Sequence, residues 1–126
     1  MRLLLDLRNT KNPAEREQLA READECGIWG VVVTGLQGGE CVEASAIATV
    51  TNHLVVVVDI DGHDVHPTTL AEEISVLDQI AQRRTMVIFR GPPNSQTTLT
   101  ALLSGLPSDG FILSPPPAQA SIPVYA

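Results

Sequence analysis

The residues best suited to chemistry lie in one short segment, Asp59–His66, which holds three carboxylates and two imidazoles. Two histidines beside aspartates can ligate a divalent metal, and a His–Asp pair can transfer a proton. The spacing matches no specific zinc motif, so we predict no metal site and take Asp61, His63 and His66 as candidate catalytic residues. A structural role stays open, because Asp61-Gly62 is typical of a turn and His66 precedes a helix-starting Pro67.

Two further groups are candidates for cofactor binding. Asp59 follows a β-branched run and Arg90 follows a second apolar run, so both should lie at the carboxyl edge of a sheet, where parallel α/β folds bind ligands. Arg90 could pair with Asp59 or Asp61, or hold a substrate. The backbone amides of the loop Gly35–Gly39, above all those of Gly38 and Gly39, could hold an anion, although the loop lacks the lysine of a P-loop. The alternative is a flexible connection between a strand and a helix.

These side chains must be positioned by alternating strands and helices. Apolar runs predict strands, and amphipathic stretches with a capping residue or proline at the start predict helices. The predicted strands are Arg2–Leu7, Ile28–Val33, Leu54–Ile60, Thr85–Phe89 and Gly110–Leu113, and the predicted helices start at Asn12-Pro13, Ala44, Pro67 and Thr97.

This alternation predicts an α/β fold with five parallel strands and right-handed crossovers. Two architectures fit it: part of a TIM-like barrel, or a flavodoxin-like open sheet. We expect residues 1–114 to form a single α/β domain and the proline-rich residues 115–126 to form an extended tail.

The composition excludes several classes of protein. The chain has 126 residues, a formal net charge of −7 and only 3% aromatic residues, which disfavours nucleic-acid binding. Its longest apolar run is too short to span a bilayer. The two cysteines, Cys26 and Cys41, form no disulfide framework, and we expect a cytoplasmic protein.

Four segments resemble the luciferase-like monooxygenases, the flavin- and deazaflavin-dependent barrel enzymes related to bacterial luciferase. Residues 20–30 resemble that family's first helix and second strand, and Glu43–Val58 its second helix and third strand. The most specific segment is His66–Asp78, with a His-Pro pair opening the helix and a Leu-Asp pair near its end. Ser108–Leu113 resembles a late Asp-Gly-Phe strand of full-length members, so the chain looks like a condensed or truncated member.

The resemblance implies FMN or a deazaflavin as cofactor and a flavin-dependent oxidoreductase or monooxygenase as the activity. It also implies a degenerate cofactor site. Members tend to have glycine or other small residues at the ends of strands three and four, where this chain has Asp59, Phe89 and Arg90 in the space of the isoalloxazine ring. The alternative is a non-catalytic descendant that binds a small ligand or a partner protein.

Five strands cannot close a barrel that usually has eight. An open sheet with apolar edges tends to pair with a copy of itself, and two-fold symmetry is the commonest outcome. We therefore expect a homodimer, with the apolar tail segment Ile122–Tyr125 crossing to the partner. The alternative is a monomeric flavodoxin-like sheet.

Overall fold

The computed structural model describes all residues, 1–126, as alternating strands and helices. The α/β class and the five-strand count predicted from the sequence are confirmed. In chain order the elements are β1 (Leu4–Asp6), α1 (Pro13–Glu25), β2 (Gly30–Val33), α2 (Glu40–Thr49), β3 (Val55–Asp61), α3 (Pro67–Ala81), β4 (Thr85–Arg90), α4 (Pro93–Leu103) and β5 (Val124–Tyr125).

The five strands form one parallel sheet in the order β1-β2-β3-β4-β5, so every strand lies beside its neighbour in sequence. Successive helices contact each other in the same order and share one face of the sheet. A doubly wound sheet would reverse its strand order at a switch point and carry helices on both faces. The fold is therefore a partial TIM-like barrel and not a flavodoxin-like sheet.

A single aliphatic core lies between the sheet and its helices. It takes alternate residues of the strands, such as Val31, Val56 and Val58, and the apolar stripes of the helices, such as Leu70 and Ile74. Because side chains alternate along a strand, the residues between them project from the opposite face. That second face has no helix over it, and we call it the open face.

The helix starts follow the capping chemistry of the sequence. The Asn12 side chain accepts a hydrogen bond from the backbone N–H of Glu15, and His66 accepts one from Thr68 at the start of α3. Two predicted starts are wrong. Helix α2 begins at Glu40 rather than Ala44. Helix α4 begins at Pro93 rather than Thr97, because proline favours the first helical position.

The predicted fifth strand, Gly110–Leu113, is also wrong. Asp109 and Gly110 have positive φ angles of 50° and 77°, and Ser108 and Phe111 exchange two backbone hydrogen bonds around them. This is a tight two-residue turn, which ends any pairing with β4. The fifth strand is instead Val124–Tyr125, within the segment that the sequence assigns to the tail.

Two aspartates on the helices hold neighbouring segments by hydrogen bonds: Asp78 holds the C-terminal tail, and Asp24 holds the loop before β3. The Asp78 carboxylate on α3 is fully buried and accepts bonds of 2.9 Å from both the backbone N–H and the side-chain amide of Gln119. Asp24 accepts three backbone N–H groups from residues 52–54. No helix in this fold is both long and apolar enough to cross a membrane.

Candidate functional site

The open face is apolar along its floor and polar at the carboxyl edge. The strand register places Leu4, Val32, Val57, Met86 and Ile88 on this face. Val32 and Val57 are only 5% and 4% exposed, although no helix covers this face. Leu4 at the edge strand is 49% exposed. The face is thus a shallow apolar trough.

The carboxyl edge of this trough is organised around Asp59. Its carboxylate accepts a 2.9 Å bond from Nη1 of Arg8, which follows β1, and a 2.8 Å bond from Nε of Arg90 at the end of β4. Arg8 also makes a two-pronged pair with Asp6, at 3.0 and 2.9 Å. One carboxylate therefore ties β3 to the ends of two other strands. The predicted pairing of Arg90 with Asp59 is confirmed.

These contacts shift the pKa values of Asp6, Arg8 and Arg90. Hydrogen bonds from Arg8 hold the pKa of Asp6 below its usual value. The pKa of Arg8 is raised by its hydrogen bonds to Asp6 and Asp59, and that of Arg90 is raised by its hydrogen bond to Asp59. Asp59 is the buried member, with 7% of its side chain exposed against 53% for Arg90. Arg90 makes only its Nε bond within the protein, so its terminal nitrogens remain available as donors.

The predicted catalytic residues lie near this cluster but separate into two roles. Asp61 accepts bonds from the backbone N–H and the ring Nδ1 of His63, at 3.1 and 2.8 Å, and these bonds lower the pKa of Asp61. This forms a solvent-facing Asp–His pair. His66 is used in capping α3 through its Nδ1. Their catalytic role stays a prediction.

The Gly35–Gly39 loop uses its last two amides internally. The N–H of Gly38 donates to Oε1 of Glu40 at 2.8 Å, and the N–H of Gly39 donates to the carbonyl of Leu36. Oε2 of the same buried Glu40 accepts the backbone N–H of Asp61 at 2.9 Å. A carboxylate of the chain therefore already occupies the position that an anion would take at Gly38.

Phe89 does not fill the open face, and this part of the predicted degenerate site is wrong. Its side chain is 2% exposed and belongs to the helix-side core. The ring packs under the loops that follow β3 and β4, so closely that a Cβ on Gly62 or Gly91 would lie 2.0 or 2.7 Å from it. Only Asp59 and Arg90 of the three predicted residues reach the trough.

The trough fits the ring of a flavin better than its phosphate tail. A flat tricyclic ring needs an apolar floor, for which the half-buried Met86 and Ile88 offer accessible surface, and polar donors at one edge, where Arg90 lies. The open face offers no matching cradle for a phosphate. No group of three or more histidine, cysteine or acidic side chains is arranged to hold a metal ion.

Two residues of the cluster carried only a weak signal in the sequence. Arg8 and Asp6 are separated by one residue after a short apolar run, and only the parallel pairing of β1 with β2 brings Arg8 to Asp59. In the sequence, Glu40 is indistinguishable from any acidic residue in the first turn of a helix. Its hydrogen bonds to Gly38 and Asp61 form only because the Gly35–Gly39 loop folds back over the start of α2.

Comparison with known proteins supports the fold. No family model matches the sequence, and no curated protein is similar to it in sequence. Among solved structures, the monooxygenase RslO1 from Streptomyces bottropensis matches 98% of this chain and 52% of its own, with a TM-score of 0.75 and 19% identity. The coenzyme F420-dependent tetrahydromethanopterin reductase from Methanopyrus kandleri matches 98% and 49%, with a TM-score of 0.81 and 13% identity.

The chain thus spans about half the length of these two structures. The resemblance to luciferase-like monooxygenases predicted a partial barrel of parallel strands, and that prediction is confirmed. The fold of this chain is that of about half of the barrel in these two structures.

Proposed function

We propose that this chain is a half-barrel oxidoreductase of the luciferase-like type, and that its open face binds the ring of FMN or a deazaflavin. The observation that carries the proposal is the trough itself. Its floor is apolar, and the donors of Arg90 lie at the carboxyl edge, where parallel α/β sheets bind ligands. When bound, the flavin would supply hydride or oxygen chemistry, and the protein would bind and orient it.

In this proposal the residues of the chain have distinct tasks. Met86 and Ile88 exclude water from one face of the ring, and the terminal nitrogens of Arg90 donate hydrogen bonds to its polar edge. Asp59 positions Arg90 through the 2.8 Å bond to Nε. The Asp61–His63 pair faces solvent beside this site and can hold or release a proton at the imidazole.

We also propose that a second copy of the chain closes the trough. Apolar side chains are exposed at the β1 edge, where Leu3 and Leu4 are 55% and 49% exposed, and Tyr125 is 54% exposed at the β5 edge. Both edges leave backbone groups unpaired. A two-fold dimer would cover the trough and bring further side chains to the ring.

Flavin fluorescence tests the binding directly. Titrating FMN with protein should quench the flavin emission to saturation, and the variant Arg90→Gln should weaken the apparent affinity by about tenfold, the loss expected for charged hydrogen bonds. The matched control is Arg83→Gln, which removes the same charge far from the trough, in the turn between α3 and β4. Full quenching by Arg90→Gln with the wild-type affinity would refute the assigned role, and no quenching by the wild-type protein would refute flavin binding.

One observation favours the alternative, a non-catalytic descendant that binds a small ligand or a partner protein. Asp59 pairs with both Arg8 and Arg90, so its carboxylate takes up donors that a ligand at this edge would otherwise use. The variant Asp59→Ala separates the two functions. FMN binding that is absent from the wild type and gained by Asp59→Ala would indicate a cofactor site that Asp59 has filled.

A further inference from the structure

A cavity lies beside the open face, between the loop after β1 and the loop after β2. It has a volume of about 390 Å³. Basic and polar groups dominate its lining, which includes Arg8, Thr10, Lys11, Arg16 and the start of the glycine loop at Gly35–Leu36. Three of the chain's eight basic residues therefore meet in one cavity of a protein whose net charge is −7.

The most informative of these residues is Arg16. It belongs to the polar side of α1 in the sequence pattern, yet only 10% of its side chain is exposed. One terminal nitrogen donates to the carbonyl of Thr10 at 3.3 Å, and the other pairs with the carboxylate of Glu43. Burying a guanidinium is unfavourable unless it meets an anion, and Glu43 is the only one that contacts it.

The cavity also offers donors that nothing in the protein uses. The backbone N–H groups of Gly35 and Leu36 make no hydrogen bond, in contrast to those of Gly38 and Gly39 in the same loop. The ammonium of Lys11 forms no ion pair and no hydrogen bond, although carboxylates are common on this chain. Unpartnered amides beside cationic side chains form the usual protein environment for an oxyanion.

We propose that this cavity binds a small phosphate-bearing anion. A carboxylate presents two oxygens, whereas the two unpartnered amides and the Lys11 ammonium could supply one donor to each of the three oxygens of a phosphate. Acidic groups also face the cavity. Glu43 lies in its wall and competes for Arg16, while Asp6 and Asp59 are held by Arg8 from the side of the open face. This inference does not depend on flavin binding, because inorganic phosphate alone tests it.

The test is a titration of ¹⁵N-labelled protein with inorganic phosphate at constant ionic strength. Saturable shifts of the Gly35 and Leu36 amide signals are expected, with no matching shifts on adding acetate. Lys11→Ala should weaken phosphate binding about fivefold, and Glu43→Gln should strengthen it by a similar factor, because each changes one charge beside the anion. The matched controls are Arg21→Ala and Glu25→Gln, which make the same charge changes at exposed positions on α1 outside the cavity.

Linear, unsaturated shifts would overturn the inference, as would equal effects of the control variants, since both would indicate only the general field of the protein. Comparing FMN with riboflavin then identifies the source of the phosphate. If the cavity holds the flavin's own phosphate, FMN binds more tightly than riboflavin and Lys11→Ala removes the difference. If neither flavin binds while inorganic phosphate does, the proposed oxidoreductase function fails and the anion site stands.

Discussion

The buried carboxylate of Asp78 should be the strongest single polar support of the C-terminal segment. It is 0% exposed and accepts two 2.9 Å hydrogen bonds from Gln119 and a longer one of 3.4 Å from the N–H of Thr85. Hydrogen bonds to charged groups contribute about 1.5–3 kcal/mol each, but Gln119 is half-buried and can turn to water when its partner is removed. We therefore expect Asp78→Ala to lower the free energy of unfolding by about 2–3 kcal/mol.

For a domain of this length, that loss corresponds to a fall in Tm of about 10 °C. Urea unfolding measures it, and limited proteolysis should show earlier cleavage in the segment after Leu113, because Gln119 no longer anchors it. Gln119→Ala should lower stability by about 1–2 kcal/mol. The double variant should lose less than the sum of the two single variants, since both changes remove the bond between the Gln119 side-chain amide and Asp78.

The control is Glu72→Gln, an exposed position on the same helix that makes no hydrogen bond. Two results would refute the reasoning. One is a stability of Asp78→Ala within about 0.5 kcal/mol of the wild type, the range of ordinary surface changes. The other is full additivity in the double variant, which would show that Asp78 and Gln119 do not act through each other.

Three further predictions concern other parts of the fold. Burial opposes ionisation of Asp24, but three backbone hydrogen bonds outweigh burial and lower the pKa of Asp24 below 3.8. The ionised carboxylate therefore stabilises the fold above pH 3.8, and this stabilisation is lost as the pH falls through the lowered pKa. Asp24→Asn should make the free energy of unfolding depend less on pH in this acidic range. Burial raises the pKa of the Cys41 thiol to about 12, with a smaller contribution from the nearby charges of Glu73 and Glu40. A thiol reagent should therefore modify the exposed Cys26 quickly and Cys41 only on unfolding. Gly62→Ala should lower the unfolding midpoint in urea, since its Cβ would overlap the Phe89 ring.

The repeating part of the fold could be predicted from the sequence because its signals are local. Apolar runs of β-branched residues define β2 and β3, and Asn12-Pro13 and His66-Pro67 mark two helix starts with capping groups. The fifth strand was missed for a physical reason. Asp109-Gly110 is a strong turn signal that outweighs the apolar residues after it, whereas Val124–Tyr125 is too short to show a strand pattern.

The site was only partly predictable, because its contacts join residues distant in sequence. Arg90 and Asp59 were identified from their places at strand ends, and their pairing followed from the parallel register. The face on which a side chain lies depends on register, and a shift of one residue moves it to the other face. The sequence therefore places Phe89 in the trough, although its side chain lies in the core.

The central claim is that two copies of this half-barrel enclose a flavin on their open faces. Native mass spectrometry of the protein mixed with FMN and, separately, with a deazaflavin tests both parts in one measurement. We predict a complex of twice the 13.5 kDa chain mass with bound flavin, and its loss when the trough is blocked by Ile88→Trp. A single 13.5 kDa chain without flavin, across micromolar concentrations and with both cofactors, would contradict the account.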